Sequence, residues 1–155
     1  IEPGDVQLMS AGRGVAHSEF NHSPTSPVHF LQIWIVPNQA GIAPEYQQQR
    51  FTPEEKRGRL RLIISPDGSD NSLHIHQDAR VYAGLFDGDE SATLTLAPNR
   101  YAYVHVARGG VSLNGVALAE GDGVRVRNET ALMLSHGNDA EVLVFDLRPV
   151  ETPDF

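Results

Sequence analysis

Short apolar runs broken by turn residues dominate the chain. Residues 30–36 form a β-rich run, Phe-Leu-Gln-Ile-Trp-Ile-Val, closed by Pro37-Asn38. Residues 60–64 form another, closed by Ser65-Pro66-Asp67-Gly68. Residues 73–77 alternate Leu, His, Ile, His, Gln, the period of two expected of a strand with one buried face. The series continues at residues 80–86, 92–96, 101–107, 110–113, 116–118, 124–126, 131–135 and 141–147. Asn114-Gly115, set between Val111-Ser112-Leu113 and Val116-Ala117-Leu118, predicts a tight hairpin. A type I′ turn needs positive φ at both central residues, and Asn-Gly supplies it. Helix is scarce: Thr52 as N-cap and Pro53 at the first helical position predict one short turn through Glu54, Glu55 and Lys56. Residues 38–59 are polar and include Tyr46-Gln47-Gln48-Gln49-Arg50, and they read as a long connection between two β units. Residues 150–155 read as a loosely held tail.

The pattern contains an internal echo. Pro3-Gly4-Asp5-Val6-Gln7-Leu8-Met9 is similar to Glu120-Gly121-Asp122-Gly123-Val124-Arg125-Val126: each is a Gly-Asp turn followed by a strand. An apolar strand follows each copy, at residues 30–36 and 142–147. In the second copy several strands precede the Gly-Asp turn; in the first nothing does. The expectation is therefore that the chain starts midway through its first repeat.

Composition narrows the chemistry. The chain has 155 residues, enough for one large or two small domains. Its formal net charge of -8 argues against phosphate backbones or anionic membrane as main partners. With no cysteine, disulfides, thiolate metal sites and a cysteine nucleophile are excluded. No apolar run approaches the roughly 20 residues of a membrane helix. No signal peptide is visible at Ile1-Glu2-Pro3-Gly4-Asp5, and the expected location is cytoplasmic.

His17-x-Glu19 is the pair with metal-ligand form. Residues i and i+2 of a strand project to one face, the placement expected for this pair. An imidazole and a carboxylate there can share a divalent ion such as iron, nickel, copper or manganese. The bland alternative is a surface His-Glu pair. Gly12 and Gly14 let the backbone turn just before it. The whole string, Gly4-Asp5-Val6-Gln7-Leu8-Met9-Ser10-Ala11-Gly12-Arg13-Gly14-Val15-Ala16-His17-Ser18-Glu19-Phe20-Asn21, resembles the pirin family, which includes quercetin 2,3-dioxygenase-like proteins. Leu31-Gln32-Ile33-Trp34-Ile35 and Pro44-x-Tyr46-x-Gln48-x-Arg50-Phe51 carry the same resemblance. Residues 106–115, followed by Gly121-Asp122, resemble the cupin pattern of Gly-rich turns between short strands.

The resemblance implies an all-β fold of two double-stranded β-helix (cupin) barrels, a bicupin with an incomplete N-terminal barrel. Residues 1–37 would be the C-terminal strands of the first, metal-site barrel, 38–59 the connection, and 60–149 a second, metal-free barrel. It implies that His17 and Glu19 are metal ligands and that Glu19 serves as a base for a flavonol hydroxyl. Two further family histidines, on an H-x-H strand, lie before the Gly-Asp turn. His74-Ile75-His76 has that form but follows the turn, so it is read as a structural strand whose imidazoles bond nearby backbone. In the second barrel the family's ligand positions fall at Thr95, Ala97, Tyr101 and Leu134, none a convincing ligand. His105 and His136 are read as satisfied strand or turn histidines, and His22 and His29 as solvent-facing.

The implied activity is that of a dioxygenase with one divalent metal, iron first, acting on a flavonol such as quercetin. The alternatives are a metal-responsive regulatory or protein-binding module and an inactive fragment. The 155-residue chain alone is expected to be inactive as an enzyme, with a site left incomplete. Exposed strand edges make self-association the expected property of such a piece.

Overall fold

The computed structural model describes residues 2–149, and the expected tail at 150–155 lies outside them. Among the described residues the fold has ten strands, one short α-helix and a single 3-10 turn at Ser69–Asn71. β1 (Asp5–Ser10) and β2 (Glu45–Arg50) pair antiparallel as a separate ribbon. α1 (Pro53–Lys56) follows, and the Glu55 carboxylate accepts a 2.7 Å bond from the Thr52 N–H, closing the first turn. Next come β3 (Arg61–Ser65), β4 (Leu73–His74), β5 (Ala79–Gly88), β6 (Ala92–Thr95), β7 (Tyr101–Leu113), β8 (Val116–Ala119), β9 (Gly123–Val126) and β10 (Ala131–Leu147). They form one eight-stranded sheet in the order β4-β3-β5-β10-β7-β8, with β6 on β10 and β9 on β7.

The two long strands, β7 and β10, run through both halves of this sheet. β10 pairs with β6 through Ala131–Leu134 and with β5 through its later residues, while β7 follows it along both halves. Register shifts between Ser135 and Val142 mark where the ladder bends. On β7 the buried positions run Ala102, Val104, Val106 and then Val111, Leu113, an even-to-odd switch that fits an extra residue at the bend. Gly109 sits there with φ +71, and a Cβ on it would lie 2.3 Å from the carbonyl oxygens of Asn138 and Asp139. Only glycine lets the two backbones approach so closely. The interior is apolar: Phe86, Leu132, Leu134, Val142 and Val144 are essentially sealed from solvent.

A second cluster lies apart from the first. Phe51, fully buried just after β2, packs with Ile63, Val81, Ala83 and Phe145, and Val6 of β1 leans on it. On β10, Val142 and Val144 belong to the interior while Leu143, Phe145 and Leu147 belong to this second cluster, so the strand's alternation builds both. Phe51 is thus the apolar anchor that seats the β1–β2 ribbon on the outside of the barrel.

The internal echo is geometrical as well as textual. The Asp5 N–H donates to the Glu2 carbonyl at 3.0 Å, and the Asp5 carboxylate accepts the Glu2 N–H at 2.9 Å. Asp122 repeats both bonds with Ala119, at 3.0 and 2.8 Å. Gly4 and Gly121 hold φ of +95 and +86 between them. The expected hairpin is also present, with Asn114 and Gly115 at φ +48 and +84 joining β7 to β8.

Three details depart from the sequence pattern. Residues 38–59 are more than a connection with the expected helical turn, because they also contain β2. The run at 30–36 joins no ladder among the described residues, and Phe30, Trp34 and Val36 are half or more exposed. A strand needs a neighbour to satisfy its N–H and C=O groups, so apolar alternation alone does not make one. The alternation at 73–77 yields only the two-residue β4, parallel to β3. No helix among the described residues is long and apolar enough to cross a membrane.

Candidate metal centre and pocket

The segment after β1 carries the expected His-Glu pair. It begins with a tight turn: the Gly14 N–H donates to the Ala11 carbonyl at 2.8 Å and the Arg13 N–H to the Ile42 carbonyl at 3.1 Å. A Cβ at Gly12 would meet the Ile42 carbonyl oxygen at 2.3 Å, so the motif's first glycine is required by close backbone approach. His17 Nε2 then lies 3.8 Å from Glu19 Oε1, with the side chains 41% and 40% exposed. Two ligands about 2.1 Å from one ion sit roughly 3.0–3.4 Å apart, so a small rotation brings this pair onto a shared cation. The donors, one imidazole nitrogen and one carboxylate oxygen, fit a divalent transition metal. They fit it as half a site: among the described residues no third His, Asp or Glu joins them at ligand spacing.

The three-ligand group that does assemble lies elsewhere. Glu45, His74 and His76 place their ligand atoms within 4.8 Å of one another. His76 Nε2 is 3.2 Å from Glu45 Oε2, and the two imidazoles meet edge to face at 4.8 Å between centroids. The expectation that the His74 and His76 imidazoles bond nearby backbone therefore needs correcting: their rings face each other and a carboxylate. Glu45 escaped notice because it sits on β2, within the stretch read as a connection. The alternation Glu45, Gln47, Gln49 was the available signal, one polar face of a strand.

A pocket of about 640 Å³ lies between residues 31–38 and the barrel's outer face, walled by Trp34, Tyr103, His105, Leu143 and Phe145 among others. Gln77 helps fix the overlying segment, its amide donating to the Val36 carbonyl at 2.7 Å, and the Asn38 N–H donates to the His76 carbonyl at 2.8 Å. Beside it, Arg100 donates to Asp146 and to Asp78, each at 2.6 Å. Burial opposes the guanidinium charge, but the bonds to Asp146 and Asp78 outweigh it and hold Arg100 above its ordinary pKa. His17 and Glu19 are not among the pocket walls.

The remaining histidines divide. His105 is half-buried on β7 and faces this pocket. His136 holds φ +53 at the bend of β10, its Nδ1 3.0 Å from Ser135 Oγ. His22 and His29 are exposed. Of the positions considered in the second barrel, Leu134 is sealed in the apolar interior, Thr95 and Ala97 are exposed, and Tyr101 is half-buried.

Two family models match stretches of the chain. Residues 62–147 match the family model described as the quercetinase C-terminal cupin domain, and residues 1–35 match the model described as pirin. A protein of Escherichia coli (strain K12) named quercetin 2,3-dioxygenase is 40% identical over 150 residues, covering 97% of this chain and 64% of its own. One from Pseudomonas aeruginosa, named a putative quercetin 2,3-dioxygenase, is 38% identical over 94% of this chain and 63% of its own. The crystal structure of YhhW from Escherichia coli superposes with a TM-score of 0.89 at 39% identity, covering 98% of this chain and 64% of that one. The same bacterial pirin in complex with nickel(II) superposes at 0.87 with 41% identity, over 95% of this chain and 62% of that one. The chain thus spans about 64% of the length of the first relatives it matches. With more than half of its residues matching the quercetinase C-terminal cupin domain and residues 1–35 matching the pirin model, the chain belongs to the pirin family.

Proposed function

We propose that this chain supplies two metal ligands, His17 and Glu19, to a metal-dependent dioxygenase acting on a flavonol such as quercetin. The observation that carries the reading is the His17–Glu19 pair, 3.8 Å apart and held just beyond the Gly12 turn. The names of the relatives support the substrate class, and the nickel(II) complex of the Escherichia coli pirin supports a divalent ion. Iron is the first candidate here, with nickel, copper or manganese as alternatives.

A bound divalent ion would supply Lewis acidity and a template on which the deprotonated flavonol meets O₂. His17 would hold the ion through Nε2, the atom that faces Glu19. Glu19 would hold it through one carboxylate oxygen and accept the flavonol hydroxyl proton on the other. Its partial exposure leaves room for a planar substrate to approach. The other two ligands would come from an H-x-H strand, in a polypeptide of the relatives' full length. The apolar barrel of residues 60–149 would act as the rigid support to which the ligand-bearing segment is tied. The pocket beneath residues 31–38 stays outside this assignment, since neither ligand lines it.

The test is O₂ consumption with quercetin and added iron, nickel, copper or manganese. The full-length form should turn over, and its Glu19→Gln variant should lose at least about a hundredfold in rate, the lower range for removing a general base. The 155-residue chain alone should show little or none. Metal-dependent turnover by the 155-residue chain equal to that of the full-length form would refute the site. A second reading, a protein-binding module, has the exposed Phe30, Trp34 and Val36 in its favour. It predicts no quercetin turnover by any form.

A further inference from the structure

Glu45, Gln47 and Gln49 share one face of β2 and reach the segment that carries β4. Gln49 Nε2 donates to the Asn71 carbonyl at 3.0 Å. Gln47 bonds the His74 backbone twice, donating to its carbonyl at 2.8 Å and accepting its N–H at 2.9 Å. Glu45 bonds the His76 imidazole at 3.2 Å. Side-chain amides thus take the place of a main-chain ladder between the two sheets. Around them the histidine-bearing backbone is held at each residue: His74 by Gln47, Ile75 by the Ser65 carbonyl at 2.9 Å, and His76 by Asn38 at 2.8 Å.

We propose that Glu45, His74 and His76 form a second metal site, taking a late first-row divalent cation such as zinc or nickel and fastening β2 to β4. The donors are two imidazoles and one carboxylate, the set that suits these ions. The Glu45–His76 separation of 3.2 Å already matches ligands on one cation, roughly 3.0–3.4 Å apart. All three ligand atoms lie within 4.8 Å of one another, and rotation of one imidazole about its side-chain bonds would bring them to ligand spacing. The side chains of His76 and Glu45 are 20% and 46% exposed, so the site opens to solvent on one side. Water would fill the positions that three protein ligands leave open. This site is separate from His17 and Glu19 and does not depend on their proposed role.

Calorimetric titration with Zn²⁺ of the 155-residue chain tests it, alongside His74→Ala, His76→Ala and the double variant His17→Ala/Glu19→Gln, each checked for folding by circular dichroism. The expected result is one equivalent of zinc bound by the wild type and retained by the His17/Glu19 variant. Either single histidine variant should bind at least tenfold more weakly. Imidazole nitrogen resonances provide a readout that needs no variant: those of His74 and His76 should shift together at one equivalent. Resonances of His74 and His76 that stay put would overturn the site and leave a plain surface hydrogen bond. Zinc lost in the His17/Glu19 variant but kept in both single histidine variants would do the same.

Discussion

Replacing Arg100 by alanine removes the cation that holds the barrel's last strand to the turn before β5. Its Nε donates to Asp146 Oδ1 at 2.6 Å, Nη2 to the Asp146 carbonyl at 3.1 Å, and Nη1 to Asp78 at 2.6 Å. The Arg100 and Asp146 side chains are only 12% and 11% exposed, whereas that of Asp78 is 51% exposed. The Asp78 arm is therefore worth about 0–1 kcal/mol, as for a surface ion pair. The Asp146 arm is different, because truncating one partner leaves a buried carboxylate uncompensated, at a cost of about 3–5 kcal/mol. With a urea slope of about 2 kcal/mol per molar, the unfolding midpoint should fall by about 1.5–2.5 M. The double variant Arg100→Met/Asp146→Leu should recover most of that loss, since an apolar pair of similar volume removes both charges together. Equilibrium urea unfolding followed by tryptophan fluorescence and circular dichroism measures all three proteins. An Arg100→Ala loss under about 1 kcal/mol, or a double variant as unstable as the single, would refute the reasoning.

Gly109→Ala should destabilise the chain by about 1–3 kcal/mol or more, read as a lowered melting temperature, because φ is +71 and the new Cβ would meet two carbonyl oxygens at 2.3 Å; an unchanged melting temperature would contradict the close approach at the bend. Hydrogen bonds from Ser69 and Ser65 lower the Asp67 carboxyl from 3.8 to about 2, so its stabilising effect is complete above the unfolded value and lost as pH falls from about 4 to about 2. Asp67→Asn should flatten that part of an acid titration, and an identical acid profile would count against the bonds. Trp34 is 89% exposed and Phe30 51%, so the chain should self-associate, and Trp34→Ser/Phe30→Ser should shift its sedimentation toward monomer; equal sedimentation of the two proteins would sink that expectation.

The strands and turns were legible because their rules are local, whereas the barrel they build was implied by the family resemblance. Alternating Val and Leu on β7 and β10, the Asn114-Gly115 hairpin and the repeated Gly-Asp turn each follow from backbone preference or side-chain parity, and each is in the structure. The motif glycines were legible too, since Gly12 packs directly against another backbone. What was missed depends on contacts distant in sequence. β2 is polar on both faces, so no apolar period marks it; its face Glu45, Gln47, Gln49 gains meaning only once residues 71–76 lie beside it. The group of Glu45 with His74 and His76 was hidden for the same reason. The run at 30–36 shows the converse error, where a strong apolar pattern found no strand to pair with among the described residues.

The measurement that bears most directly on the proposed centre is metal content by mass spectrometry, on protein of the relatives' full length. Carrying His76→Ala in every sample removes the second site from the count. The account predicts one divalent metal per chain in that background and a loss of most of it when His17→Ala or Glu19→Gln is added. Equal, stoichiometric metal with and without His17→Ala would contradict the assignment of this chain's His17 and Glu19 as ligands.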